Sequence, residues 1–167
     1  MKPFSSSIVA AGAMLLTGCS VEIDARNAIV RPASSTEFQN DAEAASRKPY
    51  GFGIWVLLTA LLEKEDVQRI SHSEVYPHVY VVECSSGKDT NVGTEPKLEG
   101  IDLGNANTVK ALLKARPAKS IYQMKSLIFA RKGDFETPQC LQLRGGSYLG
   151  QKIIEKRIPI QGSGPLP

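Results

Sequence analysis

This chain has little net charge, few aromatic residues and no long apolar run. Its 167 residues carry 20 Lys+Arg against 17 Asp+Glu, a formal +3, too mild to imply a nucleic-acid partner. No apolar stretch reaches the roughly 18 to 20 residues that a membrane-crossing helix needs. The sequence lacks a Gly-x-Ser-x-Gly element and a His-Glu-x-x-His element, so it carries neither mark of a serine hydrolase or a zinc protease. Gly145-Gly146-Ser147-Tyr148-Leu149-Gly150 lacks the Lys-Ser/Thr pair of a phosphate loop. That segment is read instead as a hairpin with glycines at positive φ. With aromatics at 7%, Trp55 and Phe52 are expected in the core and not as a carbohydrate platform. There is no internal repeat. A composition of 42% hydrophobic and 22% charged residues excludes a collagen-like or coiled-coil fibre and suits one globular domain.

The amino terminus is more informative. Lys2 precedes a nine-residue apolar stretch, Ile8 to Leu16, followed by Thr17-Gly18-Cys19. The stretch has the length of a signal-peptide core and is too short for a span. Leu16-Thr17-Gly18-Cys19 resembles the lipobox of bacterial lipoproteins at all four positions. That resemblance implies a diacylglycerol on the Cys19 thiol, removal of residues 1–18 as a signal peptide, and a palmitate-type acyl chain on the new amino terminus. Ser20 follows the cysteine where Asp would favour the inner membrane, so the resemblance implies an outer-membrane lipoprotein facing the periplasm. The remaining domain is not covered by it.

Two cysteines remain, Cys84 and Cys140, 56 positions apart in two strand-like segments. In an exported protein such a pair is read as a disulfide, because that compartment is oxidising.

Residues 20–49 read as a flexible tether, since small and polar residues dominate without an apolar stripe. A β-rich domain is expected over 50–160 and a disordered tail over 161–167. Ile54–Leu62 is read as a strand, with a helix as the competing assignment. Val75–Cys84 is a strand, and 85–100 a polar loop. Asn107 or Thr108 can cap a helix carrying Val109, Leu112 and Leu113 on one face and ending before Pro117. Ser120–Ala130 alternates, with Tyr122, Met124, Ile128 and Ala130 on one side; Leu141–Arg144 and Ile153–Ile160 follow as strands, with Ile154, Ile158 and Ile160 expected on one face of the latter. The expected fold is α+β, mainly an antiparallel meander with one short covering helix, or alternatively a small β-sandwich.

Two constellations deserve a place as candidate sites. His72, Glu74 and His78 would share one side of an extended strand and suit a metal, although the spacing matches no known motif; no metal or other cofactor is assigned. Between Asp102 and Asp134 no acid occurs, yet Lys110, Lys114, Arg116, Lys119, Lys125, Arg131 and Lys132 do. Seven such cations form a candidate binding face for an acidic partner in the envelope. The function expected is therefore that of a non-catalytic binding or accessory module of an envelope or secretion complex, held at the membrane by its amino-terminal lipid. An immunity or inhibitor protein against a periplasmic toxin or hydrolase is the first alternative. A metal-binding or enzymatic protein using His72 and His78 is the second.

Overall fold

A computed structural model describes residues 20–47, 52–131 and 133–162. The leader with Cys19, residue Lys132 and positions 163–167 of the expected tail lie outside these. The strands are β1 (Ser20–Val21), β2 (Arg26–Pro32), β3 (Ile54–Glu63), β4 (Tyr76–Glu83), β5 (Asp89–Val92), β6 (Lys97–Leu98), β7 (Ile101–Asp102), β8 (Ile121–Ala130), β9 (Gln139–Gly146), β10 (Lys152–Ile153) and β11 (Ile158–Gln161). The helices are α1 (Ser35–Gln39), α2 (Ala42–Ser46), α3 (Lys64–Ser73) and α4 (Ala106–Ala115).

The longest pairing is β3 against β8, ten residues in register from Ile54↔Ala130 to Glu63↔Ile121. Strict alternation along both strands turns Val56, Leu58, Ala60 and Leu62 to the same side as Tyr122, Met124 and Ile128, and all of these are buried. From this pair the sheet continues through β2 to β11. Strand β11 also pairs with β9, and β9 pairs with β4. The ring then closes where β5 leaves β4. Gly93 bridges Ile128, and the Thr94 N–H donates to the Leu127 carbonyl at 2.8 Å. Glycine at 93 allows this close approach: a Cβ there would stand 2.2 Å from Ser126 Oγ and 3.1 Å from Val79 Cβ, so the Ser126 hydroxyl, which donates to the Thr94 carbonyl, would have to move. The inward residues of all these strands form one core.

Helices α3 and α4 pack together across one end of the ring, where Val67, Ile70, Val109 and Leu112 join the core. Phe135 enters the same core from the loop before β9. On the outer face, α1 and α2 cover Leu57 and Leu127, with Ala44, Phe38 and Trp55 completing a second small cluster.

The class is α+β and mainly β, as the sequence implies. Its topology is less simple than a meander: β11–β2 and β1–β10 are parallel, so the sheet is mixed. Among the described residues there are four helices where one was expected. The largest correction concerns residues 20–49. Val21, Ile23, Ala25, Ala28 and Val30 are buried, and β2 is a central strand between β3 and β11. The physical reason is a period-2 pattern, apolar residues alternating with Glu22, Asp24 and Arg31, which buries a face without needing a continuous apolar run. Asn27, at a left-handed φ of 49°, stands at a shift in register that separates the two halves of this pattern.

Smaller corrections follow the same logic. The 85–100 loop contains β5 and β6, and Glu99-Gly100 make a tight hairpin, both at positive φ (52° and 87°), into β7. Asn105, not Asn107 or Thr108, caps α4 through Thr108 N–H. Ile154 points outward while Ile153 and Ile160 are buried, because the 153–160 segment is two strands and not one. Gln161 belongs to β11. Trp55 is half-buried between the rings of Phe38 and Phe129, whereas Phe52 is fully exposed.

Candidate functional site

Among the described residues, a cleft of about 370 Å³ lies on the outer face, between α1–α2 and the β6–β8 pair. Its floor is Leu57, Ser126 and Leu127, and its polar rim is Glu37, Asn40, Asp41, Lys97, Gly100 and Lys125. Strand register sets the two lysines side by side, Lys97 opposite Lys125.

Each charged group except one is held locally. Asp41 is buried at the start of α2; its Oδ1 accepts from Ala44 N–H at 2.9 Å and its Oδ2 from Lys97 Nζ at 3.0 Å. Glu37 lies in a capping box. Its carboxylate accepts from Ser34 N–H at 3.0 Å and from both Arg31 Nη atoms at 2.9 and 2.6 Å. Lys125, exposed on the rim, has no ion-pair partner among the described residues. The cleft therefore offers one uncompensated ammonium beside a compensated one, over an apolar floor, an arrangement suited to a carboxylate or other anion from a partner.

The bidentate Arg31 contact first, and the Ser34 N–H second, hold the Glu37 carboxyl down at about 2 instead of its ordinary 4.5. The folded form thus binds its proton only near pH 2, while the unfolded chain binds it near 4.5. The resulting stabilisation is complete above pH 4.5 and is lost as pH falls from there towards 2. Arg31 is half exposed, so solvent screening leaves about 1 kcal/mol. Glu37→Gln is expected to lower unfolding free energy by that amount at pH 7. Denaturant melts should show the difference closing by pH 2 to 3; a pH-independent difference would exclude this linkage.

The seven-cation face does not survive as one surface. Lys110 and Lys114 are exposed on α4, but Arg116 and Lys119 both contact Glu99, at 3.2 and 3.0 Å. Glu99 also accepts from Gln123 N–H at 3.0 Å; that bond first, and then the two cations, hold its carboxyl below the usual range. Because β6 lies beside β8, an acid outside the 102–134 window falls next to the cations within it. Lys125 lies in the cleft. Arg131 follows the last residue of β8, and ten residues at 3.3 Å each put about 30 Å between it and Lys119. Lys132 is outside the described residues.

His72, Glu74 and His78 are also separated in kind. His72 is in the last turn of α3, with Nδ1 2.7 Å from the Gln68 carbonyl oxygen. Glu74 terminates that helix at a left-handed φ of 50°, and His78 is exposed on β4 opposite Arg144. The shared parity assumed a strand through 72–78, but the strand begins at Tyr76. Among the described residues no group of three His, Cys, Asp or Glu is placed to hold a metal ion.

Cys84 and Cys140 form the expected disulfide, Cα–Cα 5.0 Å, at the end of the ring away from α3 and α4. It links the residue after β4 to its neighbour β9. Among the described residues no helix is long and apolar enough to cross a membrane.

Compared with protein-family profiles, curated proteins and solved structures, the chain matches none.

The cleft residues Asp41, Glu37 and Lys97 were not legible as a site. The first two lie in the stretch read as tether, and Lys97 in the stretch read as loop. One signal was available: Ser34-x-x-Glu37 is the pattern of a helix-starting capping box.

Proposed function

We propose that this protein is an outer-membrane lipoprotein facing the periplasm, acting as a non-catalytic binding module of an envelope or secretion complex. The observation that carries this reading is the Cys84–Cys140 disulfide. Such bonds persist in oxidising compartments and are rare in the cytosol, in agreement with export by a leader that ends in Leu16-Thr17-Gly18-Cys19. The contact surface is the Lys97–Lys125 cleft, and the partner chemistry is acidic: an exposed carboxylate presented to Lys125 over the Leu57–Leu127 floor. Attachment to the membrane raises the effective concentration of a weak binder for such a partner.

Cell fractionation tests the anchor, and cross-linking tests the contact surface. The unaltered protein is expected in the membrane fraction after a salt wash, and Cys19→Ala in the soluble fraction. Mild cross-linking of intact cells should join the unaltered protein, but not Lys125→Glu, to an acidic envelope protein. Cys19→Ala remaining on salt-washed membranes would end the anchor reading, and undiminished cross-linking of Lys125→Glu would end the cleft's part in it.

A further inference from the structure

The described chain begins on β1, and β1 is not at an arbitrary place. Ser20 pairs with Lys152 and Val21 with Ile153, in parallel register, and Ile154 N–H donates to the Val21 carbonyl at 2.9 Å. Three positions before Lys152 is the tip of the β9–β10 hairpin, where Tyr148 is 94% and Leu149 88% exposed. Single exposed apolar residues are ordinary on a protein surface; here two stand side by side on one projecting tip, at the end where β1 lies.

This tip is a fixed projection. Ser147 N–H donates to the Gln151 carbonyl at 2.9 Å and Gly150 N–H to the Ser147 carbonyl at 3.0 Å. Ser147 Oγ accepts from the N–H groups of Leu149 and Gln151, at 3.2 and 3.3 Å. Gly150 supplies the left-handed φ of 83° that the turn needs, and the Tyr148 ring meets Tyr76 edge-on at 5.7 Å. A cation, Lys152, stands exposed at the neck of the hairpin, while His72 and Glu74 line the hollow behind the tip.

Residue 19 is joined to Ser20 by one peptide unit, 3.8 Å between Cα atoms, and paired strands lie about 4.8 Å apart. Ser20, paired with Lys152, thus lies within about 20 Å of Tyr148 and Leu149, and an acyl chain on the residue before it would enter at this end. Residues 20–21 and 26–32 are strands of the sheet, and Ile23 and Ala25 between them are buried, so this stretch supplies no slack between root and domain.

We infer that the 147–150 hairpin tip is a membrane-docking element, which sets Tyr148 and Leu149 into the lipid headgroup and acyl boundary beside the lipidated amino terminus. This rests on the lipid-anchor reading above. A tyrosine ring suits the interface and leucine the apolar layer just below it, while Lys152 meets anionic headgroups. Acyl chains and a protein contact together hold a domain more firmly than one chain does. Docking by this end fixes the orientation: α3 and α4 lie towards the bilayer, and the disulfide end lies away from it.

The test uses the processed, full-length protein purified with its acyl chains and reconstituted into phosphatidylethanolamine/phosphatidylglycerol vesicles with brominated acyl chains. Trp55→Phe removes the native tryptophan, and a reporter is then introduced as Tyr148→Trp, Leu149→Trp or, at the far end, Lys88→Trp. Intact mass is measured first on each sample. Acylated protein is expected, with quenching by brominated lipid several-fold greater at 148 and 149 than at 88. Acylated protein quenched equally at all three positions overturns tip docking and leaves the anchor standing. Acylated protein whose tip reporters are quenched less than the one at 88 also overturns it, because the tip then points away from the bilayer. Unacylated protein retaining residues 1–18 overturns the anchor reading, and this inference with it.

Discussion

Deleting residues 20–32 from the chain is expected to abolish cooperative folding. Strand β2 holds hydrogen bonds to β3 on one side and to β11 on the other, so its loss opens the ring at its middle. Burial of Val21, Ile23 and Val30 is lost as well, at about 1.5 to 3 kcal/mol for each side chain, together with buried Ala25 and Ala28. Residues 22–24 also secure α3. Arg69 Nη1 donates to the Glu22 carbonyl at 3.3 Å and to Asp66 Oδ1 at 3.0 Å. Asp66 is a buried carboxyl whose proton affinity is raised by burial and partly restored by a backbone N–H from Asp24. Against a total stability of about 5 to 15 kcal/mol, these losses exceed the margin. Circular dichroism during heating should show no sigmoidal transition for the deletion. Val30→Asp, which sets a charge into the core without shortening the chain, should behave similarly. A deletion protein melting within a few degrees of the full chain would return this segment to the role of a tether.

Replacing Cys84 and Cys140 together by alanine is expected to cost about 4 kcal/mol, because cysteines 56 positions apart close a long loop in the unfolded chain. For a domain of this size that corresponds to a melting temperature lower by about 10 to 15 °C. The native pairing β4–β9 survives without the bond, since its eight registered residues from Tyr76 to Glu83 do not depend on it. The double variant should therefore still fold, with an unchanged far-ultraviolet spectrum. Thiol titration of the unaltered protein, denatured without reductant, should find neither of these cysteines free. Finding both titratable, or a melting point unchanged in the double variant, would remove the bond from the stability of the domain.

Strand identity was legible wherever alternation was long. Ile121–Ala130 shows the reason: Tyr122, Met124 and Ile128 recur at every second position or its multiple, and β8 buries those residues. Ile54–Leu62, apolar nearly throughout, carries no such period; it is a strand because its outer face is covered by α1 and α2 while its inner face is in the ring. Helix α3 went unread because its apolar positions, Val67 and Ile70, are only two, and they suffice only once α4 packs over them. The 20–32 strands went unread for the opposite reason. Their alternation was present, but their residues are small and interleaved with charges, and burial depends on partners more than a hundred positions away, at 152–161.

The candidate sites divide along the same line. A cysteine pair can be assigned from chemistry and compartment, because oxidation needs only two thiols able to meet. A charged face cannot, because counter-charges arrive through space: Glu99 joins Arg116 and Lys119 by way of the β6–β8 pairing. The amino-acid order alone determined the α+β character, the strand and helix around Tyr122 and Val109, and the partnership of Cys84 with Cys140, since each rests on local periodicity or side-chain chemistry. Ring closure through Gly93, the Lys125 cleft and the placing of Ser20 beside the Tyr148 tip were decided only by the fold, because each joins segments far apart in the chain whose meeting depends on strand register.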